Sequence, residues 1–138
     1  MIIFIDTSVF VDVLRSKPDK SSKSLFKSLQ YENSGYTSVI TIAELSVGAY
    51  KSPRKDALSK TFKLLTLVNV LDLNKEIAVE GGRIYAELVK RGEEIELNDC
   101  LIAATSLSMG IRKIVTRDIE HFRRINGIET VTPENLGF

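Results

Sequence analysis

A chain of 138 residues with 43% apolar and 27% charged side chains has the composition of one compact, core-forming domain, which excludes a disordered or low-complexity protein. Its 19 basic and 18 acidic residues leave a formal charge of +1, so no whole-molecule pull toward nucleic acid exists, and any such affinity has to come from a local patch or a bound metal. The single cysteine, Cys100, excludes an intrachain disulfide and a cysteine-rich zinc site; no apolar run reaches the ~20 residues of a membrane span, and a soluble, cytoplasmic protein with residues 1–138 as one domain is expected.

Ile2–Ile5 is a short apolar run without a charged leader, so it reads as a strand covered on both faces and not as a secretory signal. Ser8 to Leu14 predicts a short helix, ended by Lys17-Pro18-Asp19. Leu25, Phe26 and Leu29 share one side of a helix over Ser22 to Tyr31; Asn33-Ser34-Gly35 is a turn, and Tyr36 to Ile40 is the second strand. Helices follow over Thr41 to Tyr50 and Arg54 to Leu65, separated at Ser52-Pro53. Val68–Leu71 is the third strand, and Asn74 caps a long helix to Lys90 that Gly92 stops. Gly81-Gly82 weakens that helix by roughly 1 kcal/mol per exposed glycine. Asn98 opens a helix to Met109, with Gly110 at its end and Cys100 as a small core residue. Lys113–Val115 is the fourth strand, Glu120 to Arg124 a short helix, Glu129–Val131 the fifth strand, and Thr132-Pro133 starts a last helical turn. The early basic residues, from Arg15 and Lys17 to Lys60 and Lys63, read mostly as solvated helix faces. Strands alternating with helices predict an α/β fold, a three-layer α/β/α domain around a parallel five-stranded sheet. Ligands of such sheets gather beyond the carboxyl ends of the strands.

Four acids fall at those ends or at the first turn of the next helix. Asp6 follows the first strand in Ile5-Asp6-Thr7-Ser8, where a helix cap and a ligand are equally good readings. Thr7 and Ser8 can hydrogen-bond Asp6 or finish the turn. Glu44 closes Thr41-Ile42-Ala43-Glu44, which taken alone is better read as a capping box. Asp99, in Asn98-Asp99-Cys100-Leu101-Ile102-Ala103-Ala104, starts or caps a helix built of small apolar residues, and a carboxylate on such a packed element is well fixed for a metal. Asp118, after Ile114-Val115-Thr116-Arg117, repeats the strand-then-acid arrangement and also serves as a cap; Glu120 is a nearby alternative, and His121, the only histidine, flanks the site or covers Phe122. If the sheet is right, the four meet at one edge. Two carboxylates ~4 Å apart repel by about 4 kcal/mol at an effective dielectric of about 20, so such a cluster takes up protons or cations. An all-oxygen set favours Mg²⁺ or Mn²⁺ over zinc, and no Ser–His or Cys–His pair offers a protein nucleophile.

The segments FIDTSVFVD, TSVITIAELSVG, NDCLIAATSLSMG and IVTRDIEHF, in that order across nearly the whole chain, resemble the PIN-domain family, and most closely its VapC-type toxins of toxin–antitoxin pairs. The resemblance implies a Mg²⁺- or Mn²⁺-dependent endoribonuclease on a five-stranded parallel fold. It carries the first three acidic positions onto Asp6, Glu44 and Asp99, and the more variable fourth onto Asp118, with His121 where some members place a later acid. The catalytic and metal-holding set is then Asp6, Glu44, Asp99 and Asp118, supported by Thr7, Ser8, Asn98 and Thr116. Implied partners are an RNA substrate, a VapB-like antitoxin and a second copy of the chain; candidate residues for an antitoxin groove are Val9, Phe10, Val13, Leu45 and Tyr50, for each of which core packing is at least as good a reading.

Two other enzyme classes place acids after strands. A haloacid-dehalogenase phosphatase needs a second aspartate where this chain has Ser8, and a receiver domain needs paired early acids and a late lysine where Thr116 and Arg117 stand. The non-enzyme alternative is a catalytically weak PIN module acting in RNA binding or protein interaction.

Overall fold

The computed structural model describes residues 1–138. Five strands, β1 (Ile2–Ile5), β2 (Ser34–Ser38), β3 (Asn69–Leu71), β4 (Lys113–Val115) and β5 (Glu129–Val131), form one sheet in the order β3-β2-β1-β4-β5, parallel at every pairing. The chain winds outward from β1 through β2 to β3, then returns to the other side of β1 for β4 and β5. The order therefore reverses beside β1, where a parallel sheet leaves a crevice at its carboxyl edge.

The side chains of β1 sort by the two-residue period of a strand. Ile3 and Ile5 join a core with Val9, Phe10, Leu25, Phe26, Leu45, Leu64, Leu65 and Val115, while Phe4 joins the opposite core with Ile84, Leu88, Ile102, Ala103, Ile114 and Phe122. The first core lies under α1 (Thr7–Leu14), α2 (Lys20–Ser28), α3 (Val39–Lys51) and α4 (Ala57–Leu65); the second lies under α5 (Lys75–Lys90), α6 (Leu97–Ser108) and α7 (Ile119–Phe122). Cys100 is fully buried in the second core, as a small core residue should be. A 3₁₀ turn (Glu134–Leu136) follows β5. No helix is long and apolar enough to cross a membrane.

Local chemistry accounts for most boundaries. Asn74 accepts from the Ile77 amide at the start of α5, and Gly92 and Gly110 lie at φ +70° just beyond α5 and α6, the left-handed conformation that glycine adopts without a Cβ penalty. Several bounds shift by one to three residues, and two of the changes bear on the site. The second strand is Ser34–Ser38 and not Tyr36 to Ile40, because Ser38 caps α3 by accepting from the Ile40 amide, and Val39 and Ile40 turn into the helix. Helix α6 begins at Leu97, with Glu96 at its cap position and no side-chain cap bond, so Asn98 does not open it. Close packing of α5 on α6 explains Gly81: a Cβ there would stand 2.5 Å from Leu101 Cδ2.

Candidate acidic active site

Asp6 leaves the carboxyl end of β1 at the reversal point of the sheet and is 2% exposed. Its Oδ2 accepts from Ser8 Oγ (2.7 Å), Thr116 Oγ1 (2.9 Å) and the Ser8 amide (3.3 Å), whereas no hydrogen bond reaches Oδ1. It is thus both the N-cap of α1 and a carboxylate with one oxygen left over. Thr116 follows β4 directly, and its hydroxyl also accepts from the Asp118 amide at 2.9 Å, which ties the turn carrying Asp118 to Asp6. Ser8 and Thr116 stand 3.4 Å apart between them.

Glu44 lies on the second turn of α3. Since Ser38 caps that helix, Thr41 and Glu44 are interior helical positions, and the capping-box reading of Glu44 fails. Glu44 Oε1 instead accepts from Thr7 Oγ1 at 2.8 Å across to α1, and Thr7 shares a second bond, 2.9 Å, with the buried Thr41 hydroxyl. Asp99 stands in the first turn of α6. Asp118 occupies the N-cap position of α7 but makes no side-chain cap bond.

These groups from four separate segments line one cavity of 250 Å³ together with Thr7, Ser8, Val11, Glu96 and His121. Asp99 registers the crowding most directly. Burial, then the charges of Asp6, Asp118, Glu44 and Glu96, push its carboxyl up from 3.8 to about 7. Asp6 is pushed up as well, chiefly by burial, with the Asp118 charge adding to it and the Ser8 and Thr116 hydrogen bonds opposing it. His121 Nδ1 is 3.6 Å from Asp99 Oδ2, so the histidine flanks the site as expected.

Of the supporting residues read from the sequence, Thr7, Ser8 and Thr116 hold the acids. Asn98 does not: it is exposed in the first turn of α6 and does not line the cavity. Glu96 was overlooked, although its place three residues before Asp99 puts it on the same helical face. As the side chains stand, no three carboxylate, imidazole or thiol groups converge tightly enough to enclose one ion. The acids share a cavity without forming a closed cage.

A groove of 340 Å³ between α1, α3 and α4 adjoins this cavity, sharing Val11 and Glu44 with it. Leu14, Leu45, Ala49 and Ala57 contribute apolar surface, and Arg15, Arg54 and Lys60 add positive charge. Of the five groove candidates only Leu45 lines it. Val9 and Phe10 are fully buried core, Val13 packs against that core, and Tyr50 is 77% exposed outside the groove.

The profile described as PIN domain matches residues 3–128. Ribonuclease VapC1 of Haemophilus influenzae is 30% identical over 130 residues, covering 94% of this chain and 96% of the relative. The tRNA(fMet)-specific endonuclease VapC of Salmonella typhimurium is 30% identical over 126 residues, covering 90% and 92%. Among solved structures, VapBC2 from Rickettsia felis bound to a DNA fragment from its promoter superposes with a TM-score of 0.83 at 28% identity, covering 96% of this chain and 98% of that one. DNA-bound VapBC from Salmonella typhimurium gives 0.82, also at 28% identity and with the same coverage. With its parallel sheet, its acids at the carboxyl edge and these relatives along nearly its whole length, the chain belongs to the PIN-domain family, among the VapC ribonucleases.

Proposed function

We propose that this protein is a Mg²⁺- or Mn²⁺-dependent endoribonuclease, the toxin of a VapBC-type pair, with Asp6, Glu44, Asp99 and Asp118 as the groups that hold the metal. The observation that carries this is the shared cavity, in which carboxylates from four segments meet and in which burial, then the charges of Asp6, Asp118, Glu44 and Glu96, push the Asp99 carboxyl up to about 7. A carboxylate that resists ionisation because it is buried among other carboxylates is relieved by a cation. Oxygen-only donors suit a hard divalent ion. Mg²⁺ is held through one or two carboxylates and keeps several waters, so a closed protein cage is not required of the site.

The chain's own residues divide the work. Ser8 and Thr116 fix Asp6 through Oδ2, which leaves Oδ1 for a cation, and Thr7 fixes Glu44 through Oε1 in the same manner. Asp99 and Asp118 close the cavity from α6 and from the turn after β4. Bound there, the metal supplies an oriented, acidified water and neutralises charge on the leaving oxygen of the phosphodiester. No serine, cysteine or histidine pair is placed to act as a nucleophile, so direct attack by water fits the residues present.

The related structures are VapBC complexes, and an antitoxin tail seated in the groove beside the cavity would also cover the acids. Val47, Tyr50 and Phe62 remain 50% or more exposed on α3 and α4 and add apolar surface for that partner or for a second copy of the chain. The test is Mn²⁺-stimulated cleavage of a mixed RNA substrate by wild type and by Asp6→Asn and Asp99→Asn. Wild-type cleavage and loss of at least about a hundredfold in both variants are expected, as for ligands of a catalytic ion. Equal activity in all three rejects the assignment, and Mn²⁺-independent RNA binding without cleavage favours the non-enzymatic module.

A further inference from the structure

Arg117 sits between Thr116 and Asp118, yet its side chain points away from the cavity into a separate set of acids. Its Nε donates to Asp12 Oδ2 at 2.7 Å on α1, and one terminal nitrogen donates to Asp19 Oδ2 at 2.8 Å in front of α2. The guanidinium also grips both carboxylate oxygens of Glu134 in the 3₁₀ turn, at 2.6 and 3.0 Å. Asp12 is 7% exposed and accepts a further 2.7 Å bond from the buried Ser22 hydroxyl, so the anchor is rigid. The backbone of the same residue faces the other way: the Arg117 amide donates to Ser8 Oγ at 2.9 Å, and that hydroxyl donates to Asp6 Oδ2.

We propose that Arg117 is a positioning residue, which locks the turn carrying Thr116 and Asp118 onto α1, α2 and the 3₁₀ turn, so that Glu134, outside the cavity, helps set the geometry of the acids. This rests on the reading of those acids as metal-holding groups. The physical case is the planar fork of the guanidinium. Three carboxylates on separate elements fix its plane, and a fixed plane fixes the backbone of a residue whose two neighbours both belong to the site. A lysine supplies the charge without the fork and can satisfy only part of the set. The opposite readings are an ordinary surface ion pair, which contributes little, or a purely structural clip that holds the fold without touching the site.

The test uses Arg117→Lys and Glu134→Gln, with Glu80→Gln as a control that breaks the exposed Arg83 pair on α5. Three quantities are read: melting temperature in EDTA, Mn²⁺ affinity by calorimetry, and hydrogen exchange of the Arg117 and Asp118 amides. Positioning predicts Mn²⁺ affinity weaker by roughly tenfold in Arg117→Lys and about threefold in Glu134→Gln, as for groups that orient a metal's ligands. It also predicts faster exchange confined to those two amides, with kcat on RNA lowered and KM held. Should Arg117→Lys fail to fold, Glu134→Gln decides alone, since its side chain is 48% exposed. Lower melting temperatures with wild-type Mn²⁺ affinity and unchanged local exchange overturn the proposal and leave only a clip. If wild type itself takes up no Mn²⁺, the metal reading falls, and the exchange of the two amides still decides whether Arg117 holds the turn.

Discussion

Replacing Asp99 with asparagine should make the metal-free protein more stable at alkaline pH, although it removes a group assigned to the active site. The carboxyl of Asp99 is raised from 3.8 to about 7 by burial and by four neighbouring acids. Between those two values the folded chain carries a proton that the unfolded chain has released, so stability falls as pH rises through this window, and above about 7 the loss is complete. The shift corresponds to a ceiling of about 4 kcal/mol at one tenfold change per 1.36 kcal/mol. The cavity opens to solvent beside the exposed Asp118, which screens the repulsion, and about 2 kcal/mol is the figure to expect. For a domain of this size that is roughly 6–10 °C in melting temperature. The assay is thermal unfolding in EDTA followed by circular dichroism at roughly pH 5 and pH 8.5, bracketing the raised carboxyl. At the lower pH, part-way through the window, the variant should melt later by roughly a third of the full difference, and at the higher pH by all of it. Added Mn²⁺ should reverse the order, since binding at a hundred times Kd stabilises wild type by about 2.7 kcal/mol and the variant by less. A variant that melts with or below wild type at pH 8.5 without metal refutes the raised carboxyl, buried among other acids, on which the site assignment leans.

The paired glycines of α5 should respond with opposite signs. Gly82→Ala meets nothing within 4 Å and should gain up to about 1 kcal/mol from helix propensity, whereas Gly81→Ala drives a methyl to 2.5 Å from Leu101 Cδ2 and should lose about 1 kcal/mol net, both read by urea unfolding. Thr116→Val keeps the shape but leaves Asp6 Oδ2 and the Asp118 amide each short of one bond. A stability loss of about 1–3 kcal/mol and reduced Mn²⁺ affinity are expected by unfolding and calorimetry, and an unchanged affinity shows that Thr116 serves the fold alone.

The parts of the fold that follow from periodicity and capping were legible in the chain. Ile2–Ile5, Lys113–Val115 and Glu129–Val131 have the same bounds in the sequence reading and in the structure, and Asn74 caps α5. The second strand was misplaced by two residues because Val39, Ile40 and Ile42 have strand-forming side chains; Ser38, by turning its hydroxyl back to an amide, converts them to a helix that packs on both neighbouring layers. That displacement is also what changes Glu44 from a member of a capping box to a cavity residue. Asn98 and Glu96 exchanged roles for a similar reason: one residue's difference in where α6 starts rotates Asn98 outward and Glu96 toward Asp99. The anchors of Arg117 at positions 12, 19 and 134 leave no local pattern, since a charged pair is visible only once both partners have been placed in space.

The acids could not be told from caps one at a time because a cap and a ligand ask for the same thing. Both need a short oxygen-bearing side chain at the end of a strand, facing the first turn of a helix. Asp6 meets both demands at once, with one oxygen bonded to the Ser8 amide and hydroxyl and the other free. What separates the functions is electrostatic company. A lone, exposed cap is eased by its helix dipole, and nothing about it resists ionisation; Asp99 resists it, because it is buried and because four further acids face the same 250 Å³. The hydrogen bonds that orient Asp6 and Glu44 come from hydroxyls and one backbone amide, and no lysine or arginine lines the cavity. An arginine is present in this very turn, and its guanidinium is committed to Asp12, Asp19 and Glu134 instead of the cavity. The turn's own arginine is thus engaged outside the cavity, and under the proposed function the acids are left for a cation that arrives from solvent.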